Sequence, residues 1–216
     1  MDEVKIMNNI KINPAIIKTI DNPTEDMKQL AVELDARLIE YIKNPSDNLK
    51  EIAINNNPRV IEFIDNPTES MMIKAVESSW TNLKYIHNPT DRVQIEAVSK
   101  KNDAITYIDN PCYEAKVIAI RENEAAINFI DNVTREEIIE FISENILVTK
   151  YIREDISKDE LIRAIKKTIS QEDVKESYVR NFLHCTNLDL DPVLFVYMYG
   201  SKRAKRITVD EKLKID

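Results

Sequence analysis

The sequence predicts an all-α chain: an α-solenoid of 22-residue, two-helix repeats closed by a helical C-terminal cap. Three observations carry this expectation. An Asn-Pro pair returns at a fixed interval, apolar columns keep the same interval, and Gly200 is the only glycine among 216 residues. A β-rich chain with tight hairpins needs more glycine in its turns.

The pairs are Asn22-Pro23, Asn44-Pro45, Asn66-Pro67, Asn88-Pro89 and Asn110-Pro111, and Asn132-Val133 keeps the asparagine in the next register. Ala31, Ala53, Ala75, Ala97 and Ala119 form a column, followed by Val32, Ile54, Val76, Val98, Ile120 and Ile142. Tyr41, Phe63, Tyr85, Tyr107, Phe129 and Tyr151 form an aromatic column, each followed by isoleucine (Ile42, Ile64, Ile86, Ile108, Ile130 and Ile152). Self-similarity at a fixed short period marks stacked units that cannot bury their apolar faces alone. Residues 1–21 fit as a partial repeat, 22–153 as six repeats, and 154–216 as the cap.

Each repeat reads as a longer and a shorter helix. Asn-Pro-Thr-Glu at 22–25 is a helix start: Asn caps free N–H groups, Pro suits the first helical position, and an acid complements the dipole. The cap falls either on that Asn or on Thr24, Ser46, Thr68, Thr90 and Thr134. Apolar residues at spacings of three and four, such as Met72, Ile73, Ala75 and Val76, then give about ten helical residues. A polar break such as Asn55-Asn56-Asn57 ends the helix, since asparagine tolerates the left-handed conformation there. The shorter segment, as in Ala104–Ile108, has the length of one or two α or 3₁₀ turns. Stacking is expected to place both the aromatic and the isoleucine columns inside the core.

Composition narrows the function. The formal net charge is −8, which disfavours non-specific contact with DNA or anionic membranes and favours neutral or basic partners. No stretch approaches the ~18 apolar residues of a membrane span. The start of the chain lacks the basic and apolar regions of a signal peptide. Cys112 and Cys185 form no Cys-x-x-Cys pair, so the expected compartment is the reducing cytoplasm. Abundant Ile, Asn and Lys suggest an AT-rich genome, as in a low-GC bacterium or its phage.

The runs Ala97–Ile108 and Ala119–Ile130 are similar to units of bacterial and phage repeat proteins of uncharacterised function. The alternation of longer and shorter helices also resembles the variant leucine-rich repeat and, more loosely, HEAT-like arrays. The resemblance covers about residues 10–153 and implies a right-handed superhelix used for binding. The period is a couple of residues shorter than in the variant leucine-rich family, and the cysteine cluster of some members is missing. No functional residue carries over.

No catalytic constellation is read. One glycine cannot build a phosphate loop, and the adjacent His184-Cys185 pair is poorly placed to converge on a metal. Asp21, Asp65, Asp109 and Asp131 recur in register, as helix-entry residues do. No cofactor, metal or catalytic residue is therefore expected. Positions that break the repeat are the candidates for partner binding. Trp80 stands in the inter-helix column of Ala36, Pro58, Asn102, Glu124 and Ile146. Tyr113 replaces a first-turn acid, and Met72 replaces the polar column of Lys28, Lys50, Gln94 and Lys116. Exposed Trp, Tyr and Met anchor interfaces.

In the cap, Asp155–Lys175 reads as a helix. Val193–Tyr199 reads as an apolar helix, stopped by Gly200, that closes the stack or contributes a homodimer contact. Lys202, Arg203, Lys205 and Arg206 read as a solvated basic tail. The expected function is a non-catalytic protein–protein interaction module, such as a phage- or bacterium-encoded inhibitor or adaptor. The alternative is a nucleic-acid-binding helical repeat or a DNA-mimicking nuclease inhibitor.

Overall fold

The computed structural model describes residues 3–152 and 156–213. Every regular element among them is a helix, α or 3₁₀, and none is long and apolar enough to cross a membrane. The chain divides into two compact units, Met1–Ile108 and Asp109–Asp216, so the boundary falls inside the 22–153 segment.

In the first unit five α-helices alternate with 3₁₀ helices. They are α1 (Glu3–Ile12), α2 (Glu25–Leu34), α3 (Asp47–Asn56), α4 (Glu69–Ser78) and α5 (Asp91–Lys100). The 3₁₀ helices that follow them are Pro14–Thr19, Ala36–Tyr41, Pro58–Phe63, Trp80–Tyr85 and Asn102–Tyr107.

The helix entries resolve the two capping readings. Thr24, Ser46, Thr68 and Thr90 are the N-caps, each hydroxyl accepting an N–H from Met27, Leu49, Met71 or Val93 at 3.3–3.5 Å. The proline therefore lies before the cap rather than at the first helical position. Asn22, Asn44, Asn66 and Asn88 instead adopt positive φ, between 49° and 54°. A residue before proline avoids the right-handed helical region, and asparagine is strained less than other side chains in the left-handed one. The left-handed asparagine was expected at the end of the longer helix. It sits one segment later, and Asn57 at that helix end is extended (φ −151°).

Asn57 does something else, as do Asn13 and Asp35. Each closes an α-helix with its own N–H, to Asn9, Ala31 or Ala53 at 2.8–2.9 Å. Each then caps the following 3₁₀ helix by accepting the N–H two residues on, from Ala15, Arg37 or Arg59, at 3.0–3.2 Å. A short Asx side chain suits both tasks. At Asn13-Pro14 and Asn57-Pro58 the asparagine is a cap and the proline is the first helical residue, but of a 3₁₀ helix.

Ala31, Ala53, Ala75 and Ala97 are fully buried, and Val32, Ile54, Val76 and Val98 beside them are at most 1% exposed. The small side chains let neighbouring backbones approach. Ile42, Ile64, Ile86 and Ile108 are buried as expected, but the aromatic column is not. Tyr41 is 50% exposed and Tyr107 43%, while Phe63 and Tyr85 are half-buried. The reason is the place of each ring at the end of its 3₁₀ helix. Leu38 and Ile39 enter the core, and Ile42 continues the line of Ile39. Tyr41 follows Leu38 by one turn, where the helix is ending, and so stands at the rim.

The second unit contains α6 (Tyr113–Glu122), α7 (Arg135–Glu144), α8 (Lys158–Ile169), α9 (Glu176–Leu183), α10 (Pro192–Tyr199) and α11 (Lys202–Lys212). The 3₁₀ helices Glu124–Phe129 and Ile146–Lys150 follow α6 and α7. Thr134 and Glu137 form a reciprocal capping box on α7, as Ser157 and Glu160 do on α8. Phe141, Ile142, Ile165, Val179 and Phe182 are fully buried.

Three expectations for the C-terminal region change. The helix read over Asp155–Lys175 ends at Ile169, where a turn leads into α9; Asp155 itself lies outside the described residues. The basic cluster is not a tail: it opens α11, which packs on α9 through buried Ala204, Ile207 and Thr208. The apolar helix α10 is only half covered. Phe195 and Val196 are buried, whereas Leu194, Tyr197 and Met198 are exposed.

Candidate functional site

The first unit presents the ends of its 3₁₀ helices as a row of rings. Tyr41, Phe63, Tyr85 and Tyr107 each occupy the last position of such a helix, one per 22-residue step. Successive 3₁₀ helices pack against one another. Lys18 places its ammonium 3.5 Å from the Tyr41 ring centre, and Lys84 lies 4.7 Å from that of Tyr85. Between Tyr41 and Phe63 lies an open cleft of about 780 Å³, bordered by Lys43, Pro45, Lys50 and Asp65.

The segment 66–87 departs most from its neighbours. Trp80 is half-buried, with its ring 5.9 Å from that of Tyr107 and tilted by 30°. It thereby joins the aromatic row from the start of the preceding 3₁₀ helix. Two positions on, Asn82 replaces the apolar residues found elsewhere in that column. It is buried and donates its side-chain N–H to the Ala75 carbonyl at 2.9 Å. The same carbonyl accepts from the Ser79 backbone. Ser79 makes no side-chain cap on the 3₁₀ backbone and instead pairs its hydroxyl with that of Thr81 at 2.8 Å.

The three sequence candidates fare differently. Trp80 and Met72 belong to the first unit and Tyr113 to the second. Met72 is only 8% exposed, which corrects the expectation of a surface anchor. Its column is polar but not open. Lys28 and Lys50 keep their side chains 18% and 13% exposed while their ammonium groups reach Glu25 at 2.6 Å and Asp47 at 3.1 Å. Long cationic side chains bury their stems in this way, and Met72 fills the same space without a charge. Tyr113 is 46% exposed. Its hydroxyl donates to the Glu140 carboxylate, which holds its pKa up at about 12.

Around Tyr113 the second unit is laced with ion pairs. Lys116 meets Glu137 at 2.8 Å, and Glu144 receives Arg121 at 2.8 Å and Lys175 at 3.3 Å. Burial alone would raise the Glu144 pKa, but the two cations outweigh it and lower it. These carboxylates are held ionised by cations, the reverse of what a general acid needs.

Among the described residues no group of three or more His, Cys, Asp or Glu side chains is placed to hold a metal ion. His184 lies 3.1 Å from Glu211, and Cys185 is buried, which pushes its thiol pKa up. A further cavity of about 530 Å³ in the second unit is lined by Ile152, Leu161, Ile162 and Leu188, with Lys158 and Asp189 paired at its edge.

The aromatic column is visible in the sequence, but its exposure follows from its place at the last position of each short helix. Three residues per turn put Tyr41 on the line of buried Leu38, so the period alone would bury it. No family model matches the chain, and no curated protein or solved structure matches it either.

Proposed function

We propose that the chain is a non-catalytic protein-binding module, a right-handed α-solenoid of 22-residue repeats with a helical C-terminal cap, acting as an adaptor or inhibitor. The observation that supports this reading is the aromatic row of exposed Tyr41 and Tyr107 and half-buried Phe63 and Tyr85, joined by half-buried Trp80. Rigid aromatic side chains lose little entropy when covered, and tyrosine and tryptophan recur at the centres of protein interfaces. Here Tyr41, Phe63, Tyr85 and Tyr107 stand on the ends of short 3₁₀ helices, each followed by a buried isoleucine. Mixed charge beside the row (Glu40, Lys43, Glu62 and Asp65) suits a protein surface better than the uniformly basic groove that nucleic acid requires.

Affinity capture from nuclease-treated bacterial lysate tests the reading. The chain is expected to retain a defined protein, and Tyr41→Ala/Tyr107→Ala and Trp80→Ala variants are expected to lose it at unchanged helix content. Equal retention by all three, or capture that disappears with the nuclease, would refute it.

A further inference from the structure

The second unit carries an apolar surface of its own. Helix α10, Pro192–Tyr199, carries no charged or amide side chain, and a helix that is apolar all round is normally covered all round. Here only one side is. Phe195 and Val196 are buried, while Leu194 (53% exposed), Tyr197 (74%) and Met198 (57%) face outward. The spacing of three and four places them on one stripe. Each end of that stripe carries one sign of charge. Asp191 caps the N-terminal end, accepting from the Val193 and Leu194 N–H groups at 2.9 and 3.1 Å, and remains exposed. Lys202 and Lys205 are exposed at the other end, with Lys205 5.9 Å from the Tyr197 ring centre.

The placement of those cations is not explained by helix stability. Lys202, Arg203, Lys205 and Arg206 open α11, where the dipole favours acids, and the first turn contains none. Helices α2 to α8 all begin with acids in their first turn. Arg203 has a local task, donating to the Val174 carbonyl at 2.8 Å. Lys205 reaches the Tyr197 ring on α10, and Lys202 and Arg206 point to a charge requirement outside the helix.

We propose that this face is an isologous dimer contact, in which α10 packs antiparallel against α10 of a second copy. The occupant follows from charge. Eight residues of α-helix span about 12 Å, so an antiparallel pairing brings Asp191 of one copy to Lys202 and Lys205 of the other. The two-fold axis makes that complementary pairing twice. A parallel pairing would set like charges together at both ends. The same antiparallel register lays Leu194 against Met198 of the second copy and brings the two Tyr197 rings near the axis. The stripe is small beside the roughly 800 Å² that each partner gives to a stable interface, so the dimer is concentration-dependent.

Sedimentation velocity on the full chain, from low to high micromolar concentration, tests this. The native chain is expected to pass from its 25.1 kDa monomer to twice that mass. The Tyr197→Ser/Met198→Ser variant changes exposed side chains only and is expected to remain a monomer with unchanged circular dichroism. Asp191→Asn keeps an oxygen for the helix cap but removes the charge, and is expected to weaken association about tenfold. A native chain that stays monomeric throughout overturns the proposal. So does a dimer that survives the double serine variant, or one indifferent to Asp191→Asn. Binding of the native chain to phosphatidylglycerol vesicles without self-association would assign the face to a lipid surface instead and equally overturn it.

Discussion

The indole of Trp80 lies 5.9 Å from the phenol ring of Tyr107, tying the first residue of one 3₁₀ helix to the last residue of the next. A double-mutant cycle on Trp80→Ala and Tyr107→Ala is expected to give a coupling of about 0.5–1.5 kcal/mol, the range of an aromatic pair. Chemical denaturation followed by circular dichroism measures it. Trp80 is the only tryptophan, so Tyr107→Ala alone should also shift the emission of the folded protein to longer wavelength.

The exposure of the aromatic column and the burial of the next residue imply opposite sensitivities. Tyr41→Ala is expected to cost under about 1 kcal/mol, mostly the Lys18 contact over its ring. Ile42→Ala removes a side chain that is 7% exposed and should cost about 2–5 kcal/mol. Equal losses in the two denaturation curves would return Tyr41 to the core.

Positive φ explains the asparagine at Asn22, Asn44, Asn66 and Asn88, and at Asn132 where valine follows, but not at Asn110. At Asn44, with φ 49°, Asn44→Gly should leave the melting temperature nearly unchanged. Asn44→Ala should destabilise by about 1 kcal/mol, because a β-carbon is strained in the left-handed region without asparagine's local polar contacts. Asn44→Ser, which can cap a helix but lacks asparagine's tolerance of the left-handed region, should destabilise as well; were the side chain acting instead as a helix cap, the serine variant would be nearly neutral.

Gly200 is needed for space rather than for φ, which is −72°. A β-carbon there would lie 2.6 Å from the Val196 carbonyl oxygen and 2.7 Å from a Val196 methyl. Gly200→Ala should therefore loosen the junction between α10 and α11, costing about 1–3 kcal/mol. Faster amide exchange in α11 than in α7 would locate the effect.

Glu160 gives the protein a specific acid sensitivity. Arg135 first, then the Ser157 hydroxyl and N–H, hold its pKa down at about 2, against about 4.3 in an unfolded chain. A depressed carboxylate contributes stability above the unfolded value, and that contribution fades as pH falls towards the folded one. Melting temperatures of the native protein and of Arg135→Gln should thus differ most above about pH 5 and converge towards pH 2. A constant difference across that range would show that the pair does not act through ionisation.

How much of this was legible in the sequence depends on which residues are asked about. Fixed columns such as Ala31 to Ala97 and Ile42 to Ile108 announced helical structure and their own burial, since only core positions need the same small or branched side chain each time. The role of Asn22 was hidden because asparagine serves equally as a cap and as a left-handed residue, and only backbone angles distinguish them. The second use, at Asn13 and Asn57, depended on knowing that the short segments are 3₁₀. The exposure of Tyr41 is not legible because its spacing matches that of buried Leu38, and only the end of the short helix puts it at the rim. Met72 misled because a column of lysines resembles open surface, while their stems are largely covered. Helix α10 was recognised as apolar, but which half is covered depends on α8, α9 and α11, whose packing no local pattern specifies.

Site-specific photo-crosslinking tests the central claim, that the aromatic row is a protein-binding face. A benzophenone side chain replaces Tyr41, Tyr85 or Tyr107 in turn, with Glu172, exposed in the turn after α8, as the control position. The expected result is one common crosslinked protein from all three row positions and none from position 172. Unrelated products from the three, or the same product from the control, would contradict the account.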